Sequence, residues 1–189
     1  MIELVICFQE YLKINIYKIV PILFIGVMLQ LTSFVLKKIG RKSYKNGSRK
    51  TRVYNWLMSF EIAFIFVMTI YGRSVGMGDG FKLQLFVSYV EAFGQGNTEM
   101  QLQIIMNILM FIPWGLLLPL SFERFKRNKT VILTTAIISI SIEMLQGVTT
   151  IGTFDVDDIF GNVLGAEIGF ACFAVGTWLK NNDKKCTKG

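Results

Sequence analysis

Glu143 and Gln146 stand three residues apart. Asp155, Asp158 and Asn162 follow on 3- and 4-residue steps, and Asn107 precedes them, all in or beside stretches that are otherwise apolar. Steps of three and four place side chains on one face of a helix. Carboxylates on such a face could attract an amine or hold a divalent cation, with Asp155 and Asp158 as the candidate ligands at D-x2-D spacing. The amides of Asn107, Gln146 and Asn162 could hydrogen-bond a polar ligand. The same residues also admit a purely structural reading: Glu143 bonded to Asn162 as a clamp between helices, and Asp155 or Asp157 capping a helix N-terminus. Some chemistry is excluded outright. The chain has no His, which removes the usual neutral-pH base and every Ser-His-Asp or Cys-His arrangement. Cys7, Cys172 and Cys186 are scattered and fit neither a disulfide framework nor a thiolate metal site. No cofactor is implied beyond that cation.

The elements that carry these residues follow from composition. Of 189 residues, 52% are hydrophobic and only 17% charged, against roughly 25% charged in a soluble domain. An ordinary soluble globule and a disordered chain are both excluded. A bilayer-spanning helix needs roughly 20 mainly apolar residues, and five stretches qualify: 20–36, 53–71, 101–122, 130–148 and 159–179. No period-2 alternation recurs, so a barrel is not indicated. The expected fold is all-α, a polytopic integral membrane bundle of about five transmembrane helices.

The cations orient it. Lys37, Lys38, Arg41, Lys42, Lys45, Arg49, Lys50 and Arg52 lie between the first two spans, and Arg124, Lys126, Arg127 and Lys129 between the third and fourth. Lys180, Lys184, Lys185 and Lys188 follow the fifth, while the other side holds only Lys13, Lys18, Arg73 and Lys82. The positive-inside rule puts the N-terminus outside and the C-terminus in the cytoplasm. The net charge of +7 is then a topology signal, and no nucleic-acid partner is expected. The chain divides into 1–52 (an N-terminal interfacial segment, the first span and a basic loop), a helical membrane domain over 53–180, and a tail over 181–189. Within residues 1–19, Leu4, Val5, Phe8, Leu12 and Ile16 recur at helical spacing, as in an interfacial helix or an extension of the first span. The outer loop 72–100 is glycine-rich, and its apolar segment 81–93 could lie in the interface.

At 1.5 Å per residue, Asn107, Glu143, Gln146 and Asn162 all fall within about 9 Å of the outer ends of their helices, with Asp158 at the mouth. Polar groups at one depth on three helices describe a pocket open to the outside. Gly165 and Gly169 continue the stripe below Asn162, and glycine stripes let helices approach closely. The expected partner across that stripe is the fourth span. Glu61 is mid-span, available to Gln30 or to the pocket; Glu167 faces elsewhere; Glu91 and Glu99 read as solvated loop charges.

Two motifs now carry a family resemblance. Asn107, Pro113 and Gly115 make an N-x5-P-x-G segment, and Glu143 to Gly169 reads E-x2-Q … D-x2-D-x3-N-x2-G-x3-G. This resembles the VanZ-like bacterial membrane proteins over a core of about residues 81–173. Two departures stand out. An upstream Asn-Leu-x-Pro-Phe element has only Lys82-Leu83-Gln84-Leu85-Phe86 as its counterpart. Where many members carry an Arg before the first Asp, this chain has Gly152-Thr153-Phe154, so that Arg73 or a metal ion would have to substitute. The resemblance implies a multi-pass protein of the cell membrane, associated with resistance to teicoplanin-type lipoglycopeptides or with envelope homeostasis. The expected partners are membrane lipids and a lipid-linked wall precursor or lipidated antibiotic. Two other functions compete: a carboxylate and Mg²⁺-dependent enzyme on lipid-linked phosphates, and a carrier. Binding is the expected one.

Overall fold

The computed structural model describes residues 2–39, 49–76, 78 and 80–186. Arg41, Lys42 and Lys45 of the basic loop, the outer-loop Asp79 and the tail's Lys188 lie outside the described residues. The chain forms helix α1 (Ile2–Asn15), a tight turn at Ile16–Lys18, α2 (Ile19–Ile39) and α3 (Arg49–Thr69). A two-residue strand β1 (Phe81–Lys82) follows, then one turn of helix α4 (Val87–Tyr89) that widens into a π turn over Val90–Gly94. The remaining elements are α5 (Thr98–Ser121), α6 (Asn128–Thr149), β2 (Phe154–Asp155) and α7 (Val156–Cys186).

Among the described residues, four segments are long and apolar enough to cross a membrane: Ile16–Ser33, Thr98–Ser121, Asn128–Thr149 and Val156–Asp183. The protein is therefore an all-α helical membrane protein. The fifth expected span is helix α3, 21 residues long, whose first turns carry Arg49, Lys50, Arg52 and Asn55 and which is correspondingly less apolar. α1 is a helix of its own, set off from α2 by the tight turn.

α5 and α7 form the centre. Their backbones touch at glycines: a Cβ on Gly165 would overlap the Ile108 carbonyl, one on Gly169 the Ile112 carbonyl, and one on Gly115 the Ala166 carbonyl. The expectation that Gly165 and Gly169 face the fourth span is therefore corrected. The stripe meets the third span, α5, because α5 presents Gly115 as the complementary gap. α6 packs on α7 without such glycine contacts, and Asn162 Nδ2 donates to Ser139 Oγ between them at 2.8 Å. The apolar core is built on Phe111, Trp114, Leu118, Val131 and Ala166, and Trp114 Nε1 donates to Thr135 Oγ1 at 3.1 Å.

α2 lies at the periphery with most of its described side chains exposed, as suits a lipid-facing helix. It is held to α3 by Gln30, whose Nε2 donates to the Asn55 carbonyl at 2.7 Å and to Ser59. Glu61 takes neither expected partner. Its Oε1 is buried without a hydrogen-bond partner, beside Pro113 in a small apolar cavity.

Candidate functional site

At one end of the bundle, the C-terminal ends of α3 and α6 meet the N-terminal turns of α5 and α7. Two short segments brace this end. β1 pairs in parallel with β2, Phe81 opposite Phe154 and Lys82 opposite Asp155. The Gly76 N–H donates to the Thr150 carbonyl at 2.9 Å and Phe154 N–H to the Gly80 carbonyl at 2.8 Å. The loop after α3 is thereby pinned along the α6–α7 connection.

Asp155 is the N-cap of α7. Its Oδ1 accepts the Asp157 N–H at 2.8 Å, and its Oδ2 accepts the Ser88 hydroxyl at 2.8 Å. Its own N–H donates to Glu143 Oε2 at 3.0 Å. Glu143 thus bonds the backbone at Asp155, whereas the clamp reading expected it to bond Asn162. Asp157, 2% exposed, turns the other way and accepts the backbone N–H groups of Phe86 at 2.6 Å and Ser88 at 2.9 Å. This fixes the re-entry into α4, where Phe86 adopts φ +64°, a left-handed conformation disfavoured for a bulky residue. The Phe86, Tyr89 and Phe160 rings pack edge to face around that turn. Burial pushes the Tyr89 phenol up, and the carboxylates of Asp157, Asp158 and Asp155 push it further.

Asp158 accepts from Gln103 Nε2 at 3.1 Å. Gln146 Nε2 donates to the Thr69 carbonyl at 2.9 Å, tying α6 to the end of α3. These residues border two cavities. The first, about 430 Å³, is lined by Arg73, Ser74, Lys82, Ser88, Gly152 and Asp155. The second, about 390 Å³, runs beneath α1 and between α3 and α5, past Tyr11, Phe64, Met68 and Met106 to Asn107, Glu143 and Asn162. Arg73, Gln103, Gln146 and Asp158 line both and form the partition between them.

All six polar residues singled out in the sequence therefore line one or both cavities, and Pro113, Gly115, Gly165 and Gly169 lie in the helix pair that supports them. Glu167 is exposed on α7 and lines neither. Glu99 is exposed but stands at the rim of the second cavity, so it is more than a loop charge. Gln103 and Ser88 had no sequence signal of their own. Arg73 sits against Gly152, where a Cβ would meet its guanidinium; the glycine in place of a larger residue leaves room for an arginine from another loop. On α1, Leu4, Cys7 and Tyr11 turn inward, while Val5, Phe8 and Leu12 are exposed. Burial beneath this helix pushes the Tyr11 phenol up, with the Arg73 charge pulling the other way. Among the described residues, no three His, Cys, Asp or Glu side chains are grouped as a metal ion would require.

Fold and site define a class: polytopic helical membrane proteins with a polar chamber at one end of the bundle. The chain belongs to the VanZ/LLP1 family, whose model matches residues 21–177. It is 29% identical over 84 residues to Protein VanZ of Enterococcus faecium, a stretch covering 43% of this chain and 50% of that protein. The chain thus spans about half the length of the curated relative it matches. No solved structure matches it.

Proposed function

We propose that this protein binds a lipidated ligand from the outer leaflet of the bacterial cell membrane and thereby contributes to resistance to teicoplanin-type lipoglycopeptides or to envelope homeostasis. The observation that carries the reading is the pair of adjoining cavities with different linings. A ligand with a polar head and an acyl chain needs a hydrogen-bonding compartment continuous with an apolar one. The first cavity supplies charged and hydroxyl groups, the second an apolar run past Phe64, Met68 and Met106 that ends at the polar side chains of Glu143 and Asn162, and Asp158, Gln103 and Gln146 border both. Family membership supports the biological setting, and the exposed apolar residues of the 81–93 segment (Leu83 is 67% exposed) suit contact with lipid near the mouth.

The test is susceptibility. Expression of the wild-type chain in a glycopeptide-sensitive Gram-positive host should raise the inhibitory concentration of teicoplanin more than that of an unlipidated glycopeptide. Asp158→Asn and Glu143→Gln, in protein that reaches the membrane in normal amounts, should abolish the gain. Unchanged protection in both variants would exclude the chamber as the seat of function.

A further inference from the structure

Within the second cavity, one atom lacks what it needs. Asn162 is 2% exposed and lines the cavity; its Nδ2 donates to Ser139, but its Oδ1 is buried without a hydrogen-bond partner. A buried polar atom left unpaired is costly and uncommon in folded proteins. The groups around it repeat the demand. Glu143 and Asp158 are buried in the same cavity, and Glu10 and Glu99 stand at its rim. Among the described residues that line it, Arg73 is the one Lys or Arg. Glu143 commits Oε2 to the Asp155 N–H and has a second oxygen to offer. The inner end is therefore rich in hydrogen-bond acceptors, with two carboxyl groups set against the single guanidinium of Arg73. An entering group has to donate hydrogen bonds and carry positive charge.

We propose that the cavity beneath α1 holds a primary ammonium group on an apolar chain. The nitrogen donates to Asn162 Oδ1 and to the Glu143 and Asp158 carboxylates, and the chain lies along Phe64, Met68, Met106 and Met110. A primary ammonium is compact and has three N–H donors, which answers the acceptors. A quaternary ammonium has the charge and no N–H. A fatty alcohol has a single donor and no charge. The inference deepens the proposed function by naming the chemistry of the ligand's buried group, and it rests on that reading.

The full chain, purified in detergent and transferred to native mass spectrometry, is offered dodecylamine, dodecanol and dodecyltrimethylammonium in equal amounts. Dodecylamine should be retained about tenfold or more over each of the others, the worth of one charge-assisted hydrogen bond. Asn162→Leu should remove most of that preference, and Asn162→Asp, which keeps oxygen acceptors, should preserve it. A second arm, nanodiscs containing phosphatidylethanolamine and phosphatidylcholine, separates the sources of the amine. Enrichment of phosphatidylethanolamine assigns it to a lipid headgroup; preference for dodecylamine with no choice between the two phospholipids assigns it to an amine not joined to phosphate. Either result supports the site. Equal retention of amine and alcohol by the wild type overturns the ammonium and leaves the lipid cavity standing. Retention of no probe overturns both readings. An undiminished amine preference in folded Asn162→Leu overturns the proposal.

Discussion

Asp157 and the helix-contact glycines show what single residues do here. Asp157 holds two backbone N–H groups that lie about seventy residues earlier in the chain. Its replacement by Ala leaves both N–H groups without their acceptor, at a cost of roughly 1–3 kcal/mol each, and frees the turn at Phe86. Limited proteolysis should then cut within the loop between α3 and α5 several times faster, while α5 and α7 stay resistant. Gly165→Ala places a methyl against the Ile108 carbonyl. We expect it to destabilise the protein by about 1–3 kcal/mol, the usual cost of overpacking, read as a lowered melting temperature in detergent. Gly176→Ala, inside α7 and meeting no neighbour, should not lower it. These two sites differ in how much the sequence discloses. The 3- and 4-residue steps from Asp155 to Gly169 are readable because a helix turns that periodicity into a face. Asp157 carries no such mark, since its partners are backbone groups brought to it only by the folded loop, and Ser88 and Gln103 are hidden for the same reason.

Among the elements, α1 is the one whose role the pattern of hydrophobicity obscures. Of its readable stripe of Leu4, Val5, Phe8 and Leu12, Leu4 turns inward together with Cys7 and Tyr11, while the other three are exposed. In lipid the outer face of a helix is apolar too, so hydrophobic periodicity does not tell inside from outside. The pairing of the glycine stripe is obscured likewise: glycines announce a close approach, and only the complementary gap at Gly115 selects α5 over α6. No described side chain of α1 is fully buried, so α1 contributes little to the stability of the bundle. A chain lacking residues 2–15 should melt within a few degrees of the full protein while losing teicoplanin protection and retention of dodecylamine. A collapse in melting temperature would instead make α1 a structural strut.

Over the whole molecule, the charge distribution was the most legible feature. The chamber collects the C-terminal ends of α3 and α6 and the N-terminal turns of α5 and α7. The far ends of those helices are the ones that carry Arg49, Lys50 and Arg52, Arg124 to Lys129, and Lys180. Reporter fusions should therefore place the C-terminus and the α5–α6 turn in the cytoplasm, and a tag in the Gly94–Asn97 turn outside. A cytoplasmic tag there would invert the chamber and end any role at the outer leaflet. The close contact of α5 with α7 has a mechanical side. Backbones meeting at glycine have no side-chain layer to compress, so this wall of the second cavity is stiff. The opposite wall, α1, hangs from α2 by a single tight turn and yields easily. On the proposed function, a chamber with one stiff and one yielding wall should discriminate unevenly, strict toward groups seated against Asn162 and Asp158 and tolerant of length and branching in whatever passes beneath α1.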